Sequence, residues 1–151
     1  MLHKSFVSKM SYVTYKGKKF RIKNGKLDLS YKYIKNINEI EGLDRLKKLR
    51  KLDLGENKIK EIKGLENLRN LQTLLLWENQ ITEIKGLETL TNLSNLDLWD
   101  NQITEIKGLE ALINLFRVSL RNNPIKDEEK FILSKSREEV VDYCLMKKRE
   151  N

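Results

Sequence analysis

The chain has few of the residues on which catalytic and metal sites usually depend. Its 151 residues include one cysteine, one histidine and one proline. A single cysteine, Cys144, excludes a disulfide within the chain and favours a reducing compartment. A single histidine, His3, leaves no multi-histidine metal site, and the sequence has no G-x-S-x-G, Walker-type or paired-cysteine motif. We therefore expect no catalytic residue, no metal and no cofactor, and we do not expect an enzyme.

Long apolar runs are also missing. The first 15 residues lack the apolar core of a signal peptide, and no apolar run approaches the length that spans a membrane. Together with the single cysteine, this predicts a cytoplasmic protein.

Charge is distributed unevenly along the chain, whose formal net charge is +8. Residues 1–50 hold 14 Lys and Arg against 4 Asp and Glu, whereas residues 51–123 hold 9 against 11. The excess of positive charge therefore belongs to the N-terminal third. Any contact with nucleic acid or an anionic membrane is expected there.

A 22-residue period runs through the middle of the chain. Near-identical copies begin at Leu46, Leu68 and Leu90, and a truncated copy begins at Leu112. A fixed period of this length indicates one supersecondary unit stacked on copies of itself. The sequence therefore predicts one domain with the architecture of a solenoid.

Each copy combines two spacings. Leucines two apart, such as Leu74 and Leu76, predict a short strand with one buried side, and the following segment returns with helix-like spacing. Because all copies run in the same direction, the strands must form a parallel sheet with right-handed crossovers. An asparagine after each strand can satisfy backbone groups that the turn leaves unpaired, so these residues should stack as a structural ladder. They are Asn57, Asn79, Asn101 and Asn123.

The pattern L-x-x-L-x-L-x-x-N-x-I-x-x-I-x-G-L covers about residues 24–125 and resembles the 22-residue class of leucine-rich repeat, as in a regulatory subunit of protein phosphatase 1. The resemblance implies an α/β fold: a short right-handed solenoid with a parallel sheet on its concave face. It also suggests a phosphatase as partner, and a small GTPase or a cytoskeletal protein is equally compatible. The first copy departs from the pattern. Three extra residues lie between Leu29 and Ile37, and Lys35 stands where the ladder asparagine is expected.

The two ends carry different cap signals. Residues 1–10 show no pattern and are expected to be mobile. Apolar and polar residues alternate in residues 11–26 on either side of the turn signals Lys16-Gly17 and Asn24-Gly25, which predicts a β-hairpin cap. Its apolar residues, Val13, Tyr15, Phe20 and Ile22, should cover the first repeat. The repeats should then occupy residues 27–125.

Residues 126–151 predict a helical C-terminal cap. Asp127 is expected to cap a short helix, and Ser136 with Glu139 forms a capping-box pattern for a second one. The apolar face of the second helix would contain Val140, Val141, Cys144 and Leu145, so the thiol is expected to pack rather than react.

The outward strand positions carry the candidate binding residues. Trp77 and Trp99 have the same register on adjacent strands, so we expect them to touch on the concave face, beside Leu75. Tryptophan is among the residues most enriched at interface hot spots, which favours a protein partner on this face. Glu56, Glu78 and Asp100 follow as an acidic row. The predicted protein-binding residues are Asp53, Leu75, Trp77, Glu78, Asp97, Trp99, Asp100 and Arg121.

Other interpretations stay open at this point. The two tryptophans could pack only on each other, or they could join two copies of the chain. The basic hairpin, with six lysines and arginines in residues 16–26, could contact nucleic acid or an anionic membrane. We favour the protein-binding scaffold, because charge runs are usually solvated faces and no RNA-binding motif is present.

Overall fold

The computed structural model describes residues 12–149, so the predicted mobile segment 1–10 lies outside the described residues. A two-stranded antiparallel hairpin precedes a five-stranded parallel sheet whose strands follow chain order. The hairpin consists of β1 (Tyr12–Tyr15) and β2 (Lys18–Arg21), and the sheet of β3 (Lys26–Asp28), β4 (Lys51–Asp53), β5 (Thr73–Leu75), β6 (Asn95–Asp97) and β7 (Arg117–Ser119). Short 3₁₀ helices span Ile37–Glu39, Leu43–Arg45 and Asp127–Ser134, and the α-helix α1 spans Arg137–Arg149.

The register of the sheet repeats without a shift. Leu52 pairs with Leu74, Leu74 with Leu96, and Leu96 with Val118. Each copy of the sequence therefore contributes one strand at the same height, which confirms the parallel-sheet solenoid predicted from the period.

The core is a continuous stack of leucine and isoleucine side chains between the strands and the returning segments. Within one repeat, Leu74, Leu76, Ile81 and Leu87 have no exposed surface. Burying such a side chain stabilises the fold by about 1.5–3 kcal/mol, and the burial is complete only because a neighbouring repeat covers each side. The two ends of the stack therefore need covers of their own.

Each ladder asparagine joins its own turn to the preceding one. Asn79 Nδ2 donates to the carbonyls of Leu54, Leu76 and Trp77 at 3.0, 3.1 and 3.2 Å, and its Oδ1 accepts from the Ile59 N–H at 3.0 Å. The same pattern recurs at Asn57, Asn101 and Asn123.

The first repeat differs from the sequence-based prediction. Because β3 pairs in register with β4, Lys32 stands opposite Asn57, and its N–H donates to Asn57 Oδ1 at 3.0 Å. The assignment of Lys35 to the ladder position is therefore wrong. The Ile34 N–H donates to the same oxygen at 2.9 Å, so the extra residues lie between Ile34 and Gly42, away from the sheet.

The N-terminal hairpin covers the open end of the core as predicted. Val13 and Tyr15 are buried, and Phe20 and Ile22 are partly buried against the core. Reciprocal backbone hydrogen bonds of 3.1 and 2.8 Å between Thr14 and Glu41 attach the hairpin to the first repeat.

The C-terminal cap agrees with the prediction in part. The Ser136 N–H donates to Glu139 Oε2 at 2.9 Å and the Glu139 N–H to Ser136 Oγ at 3.4 Å, which is the expected capping box. Asp127 does not cap its helix: it lies inside the first turn, where its carboxylate pairs with Lys130. Val140 and Cys144 are buried, whereas Leu145 is exposed.

The Cys144 thiol is buried between α1 and the last full repeat, where its Sγ lies 3.6 Å from the Ile106 carbonyl oxygen. Burial raises its pKa to about 12, so the reactive thiolate is scarce near neutral pH. We expect a thiol reagent such as Ellman's reagent to leave the native protein unmodified and to label the denatured protein fully. Rapid labelling of the native protein would contradict the packing role.

Candidate functional site

The outward side of the sheet arranges its side chains in rows across the strands. Within β5, Leu74 points into the core and is buried, whereas Thr73 and Leu75 are half-buried on the opposite, concave face. We define three rows on that face from the strand register. The inner aspartates are Asp28, Asp53 and Asp97; the tryptophan row is Gly55, Trp77, Trp99 and Arg121; the outer carboxylates are Glu56, Glu78 and Asp100.

Trp77 leans across the neighbouring strand toward the N-terminal end of the face. Its indole lies so close over Gly55 that a Cβ at this glycine would overlap the ring. Beyond Gly55, the indole meets Tyr31 edge to face, with ring centroids 5.9 Å apart and an interplanar angle of 75°. The ring partner of Trp77 is thus Tyr31, whereas the contact predicted from register was with Trp99. Both tryptophans are half-buried rather than fully exposed.

The inner aspartates shape the strand ends that present the tryptophan row. Asp53 Oδ1 accepts from the Gly55 N–H at 3.1 Å, and Asp97 Oδ1 accepts from the Trp99 N–H at 3.0 Å. Burial raises the pKa of Asp53, and the negative charges of Asp28 and Asp97 add to this rise. These carboxylates therefore have a structural role in addition to the binding role predicted for Asp53 and Asp97.

The outer carboxylates come directly after the tryptophan row and have a left-handed backbone. The φ angles are 47° at Glu56, 50° at Glu78 and 53° at Asp100, a region that favours glycine and asparagine. Desolvation raises the pKa of Glu78, and the flanking carboxylates Glu56 and Asp100 raise it further. A hydrogen bond with the Glu56 carboxylate raises the pKa of the Tyr31 phenol, and desolvation and the nearby negative charges add to this rise. The row is therefore a set of like charges close enough to repel one another.

Carboxylates on the convex side are in a different environment. Glu61 pairs with Lys63, Glu83 with Lys85 and Glu105 with Lys107, one pair in each repeat. Within residues 12–149, none of the outer carboxylates takes part in an ion pair. Glu61, Glu83 and Glu105 thus each have a lysine partner, whereas the outer carboxylates of the same repeats have no ion pair within residues 12–149.

Residues 69–111 match the family described as Leucine Rich repeats (2 copies). Residues 69–111 of the solenoid therefore consist of leucine-rich repeats. An internalin C2 from Listeria monocytogenes is 39% identical over 58% of this chain and 37% of that chain, with a TM-score of 0.52. The functional domain of InlJ from the same organism is 25% identical over 62% and 20%, with a TM-score of 0.51.

A third structure supports the fold alone. An internalin, inlF, from Listeria monocytogenes is 23% identical over 72% of this chain and 38% of that chain, with a TM-score of 0.52. This chain spans between 20% and 38% of the length of the three internalins. No curated protein matches it. The closer resemblance to a phosphatase 1 regulatory subunit stays a prediction.

Among the residues that line the concave face, sequence reasoning missed Tyr31 and Asp28. Both belong to the first repeat, and placing Lys35 at the ladder position put Tyr31 out of register with Glu56. The signal was present in the sequence: Leu27 and Leu29 repeat the spacing of Leu52 and Leu54, and counting from that pair places Tyr31 opposite Glu56.

In the range 12–149, no group of three or more His, Cys, Asp or Glu side chains is placed to hold a metal ion. No helix in the same range is long and apolar enough to cross a membrane.

Proposed function

We propose that the protein is a non-catalytic scaffold that binds a protein partner on the concave face, around Trp77 and Trp99. Leucine-rich-repeat proteins generally act in protein–protein interaction and are typically non-catalytic modules. The observation that carries the proposal is the half-buried indole of Trp77, which is held against Tyr31 and Gly55 beside carboxylates that have no ion-pair partner. A cytoplasmic location, with a phosphatase or a small GTPase as partner, remains part of the prediction.

Replacing both tryptophans tests the proposal. The double variant Trp77→Ala/Trp99→Ala should weaken binding of the partner, isolated on the immobilised full chain and identified by mass spectrometry, by roughly thirtyfold or more, since a hot-spot aromatic contributes about 2 kcal/mol. The matched control is Phe116→Ala, because Phe116 is an aromatic residue that is 80% exposed and lies outside the tryptophan row. Undiminished binding by the double variant would refute the concave-face site.

A second variant moves Trp77 without removing it. The backbone of Gly55 does not have a positive φ, so alanine is compatible with its conformation, but the added Cβ displaces the indole. We expect Gly55→Ala to weaken partner binding while the circular dichroism spectrum stays that of the wild type.

Self-association through the same face is a separate question. Light scattering of the wild type alone tests it.

The basic N-terminal region supports a second candidate function. Arg45, Lys47, Lys48 and Arg50 line a cleft beside the hairpin, with Leu46 and Leu49 among its apolar walls. Such a cleft suits a phosphate-bearing ligand such as nucleic acid or an anionic lipid. Binding of this kind would weaken steeply with added salt and with loss of these cations, and it would not require Trp77.

A further inference from the structure

The outer carboxylates identify the chemistry that a partner of the concave face must bring. Glu56 and Glu78 are half-buried, lie in adjacent repeats and make no ion pair within residues 12–149. The convex carboxylates five residues further along, Glu61 and Glu83, each pair with a lysine of their own repeat. A half-buried carboxylate without a cation is costly, and its neighbours of like charge add to the cost. A cation supplied by a binding partner would reduce both the cost of the unpaired carboxylate and the repulsion between the like charges.

Aromatic rings lie at the same place. The Trp77 indole and the Tyr31 ring meet edge to face directly beside Glu56 and Glu78. A cation over an aromatic face gains electrostatic attraction from the ring, and arginine does so while keeping its guanidinium edge free for a carboxylate. The aromatic rings and the carboxylates thus both favour a cationic side chain. On this face, Lys26 and Lys51 lie on the first two strands of the sheet, Arg117 lies on the last strand, and Arg121 follows that strand.

We propose that the partner presents a basic segment, with arginine or lysine side chains seated between the aromatic rings of Tyr31 and Trp77 and the carboxylates of Glu56 and Glu78. This inference rests on the proposed function and deepens it by assigning the partner's chemistry. The chain as a whole carries a net charge of +8 and repels polycations at long range. Binding of a basic peptide therefore has to come from the local arrangement of rings and carboxylates, because the overall charge opposes it.

The probe is a short fluorescein-labelled peptide of alternating arginine and glycine, titrated into the full chain at an ionic strength of about 0.15 M, where long-range charge effects are screened. The test variant is Glu56→Gln/Glu78→Gln, and the matched control is Glu61→Gln/Glu83→Gln, which removes the same two charges from the same two repeats. We expect the test variant to weaken binding roughly fivefold or more, and the control to change it less than about twofold. Trp77→Ala should also weaken binding.

The remaining outcomes decide against the proposal. It is overturned if the arginine peptide does not bind the wild type, if both double variants lose affinity equally, or if a peptide of alternating glutamate and glycine or a single-stranded RNA binds at Trp77 instead. Thermal melting of the test variant serves as the folding control, and removal of two repelling charges should leave it unchanged or raise it.

The isolated partner separates this inference from the proposed function. If its binding depends on Trp77 and Trp99 but tolerates Glu56→Gln/Glu78→Gln, the concave face is the site and the basic chemistry is wrong. If its binding tolerates the tryptophan replacements, the proposed function itself fails.

Discussion

Asn79→Ala is expected to lower the free energy of unfolding by about 3 kcal/mol, because one substitution leaves several buried backbone groups unpaired at about 1–3 kcal/mol each. The side chain donates to three carbonyls in two successive turns and accepts from the Ile59 N–H. It is 8% exposed, so water can replace little of this bonding. Urea denaturation followed by circular dichroism measures the change.

Asn70→Ala is the matched control for this prediction. Asn70 also bonds across repeats, from its Nδ2 to the Lys47 carbonyl at 2.7 Å, but it is exposed. Water can take over that hydrogen bond, so we expect a loss below about 0.5 kcal/mol. Equal effects of the two substitutions would show that the ladder is no more important to stability than a surface bond.

The repeat pattern predicts the solenoid because one rule applies to every copy. Leu74 and Leu76 must face the core if Leu52 and Leu54 do, and the parallel register follows since each strand runs in the same direction. The pattern fails at the first copy, where three extra residues allow two alignments. Counting from Leu27 and Leu29 favours one of them, and the pairing of β3 with β4, a contact between residues 25 positions apart, confirms it.

The candidate site is predictable in its rows but not in its contacts. Register alone places Trp77 and Trp99 on one face, whereas the direction in which an indole leans depends on the space beside it. Gly55 provides that space on the N-terminal side, so Trp77 turns toward Tyr31. The sequence shows the glycine, but the consequence for the rotamer of a residue one strand away requires the three-dimensional arrangement.

Glu129 is a further residue that the sequence does not single out. It is one of three consecutive acidic residues at the start of a short helix, which is the usual composition of a solvated first turn. In the structure it has no exposed surface, its Oε2 accepts from the Ile106 N–H at 2.6 Å, and its other oxygen pairs with Lys147 of α1. One carboxylate therefore joins the last full repeat to both helices of the C-terminal cap.

Glu129→Ala is accordingly expected to destabilise the protein by about 3 kcal/mol, because it leaves the Ile106 N–H buried without a partner and removes the ion pair between Glu129 and Lys147. The exposed neighbour Glu128 is the matched control, and Glu128→Ala should change stability by less than about 0.5 kcal/mol. Limited proteolysis should cut α1 of the Glu129 variant first, since the loss of stability is confined to the cap.

The ion pair between Glu129 and Lys147 also predicts a dependence of stability on pH. Pairing with Glu129 raises the pKa of Lys147, so the contribution of this ion pair to stability is fully present below the unfolded pKa of 10.5 and is lost as the pH rises through the folded value. The wild type should therefore lose stability as the pH rises above 10.5, and the Glu129→Ala variant should lack this loss. If the variant shows the same alkaline loss of stability as the wild type, the ion pair does not hold the cap.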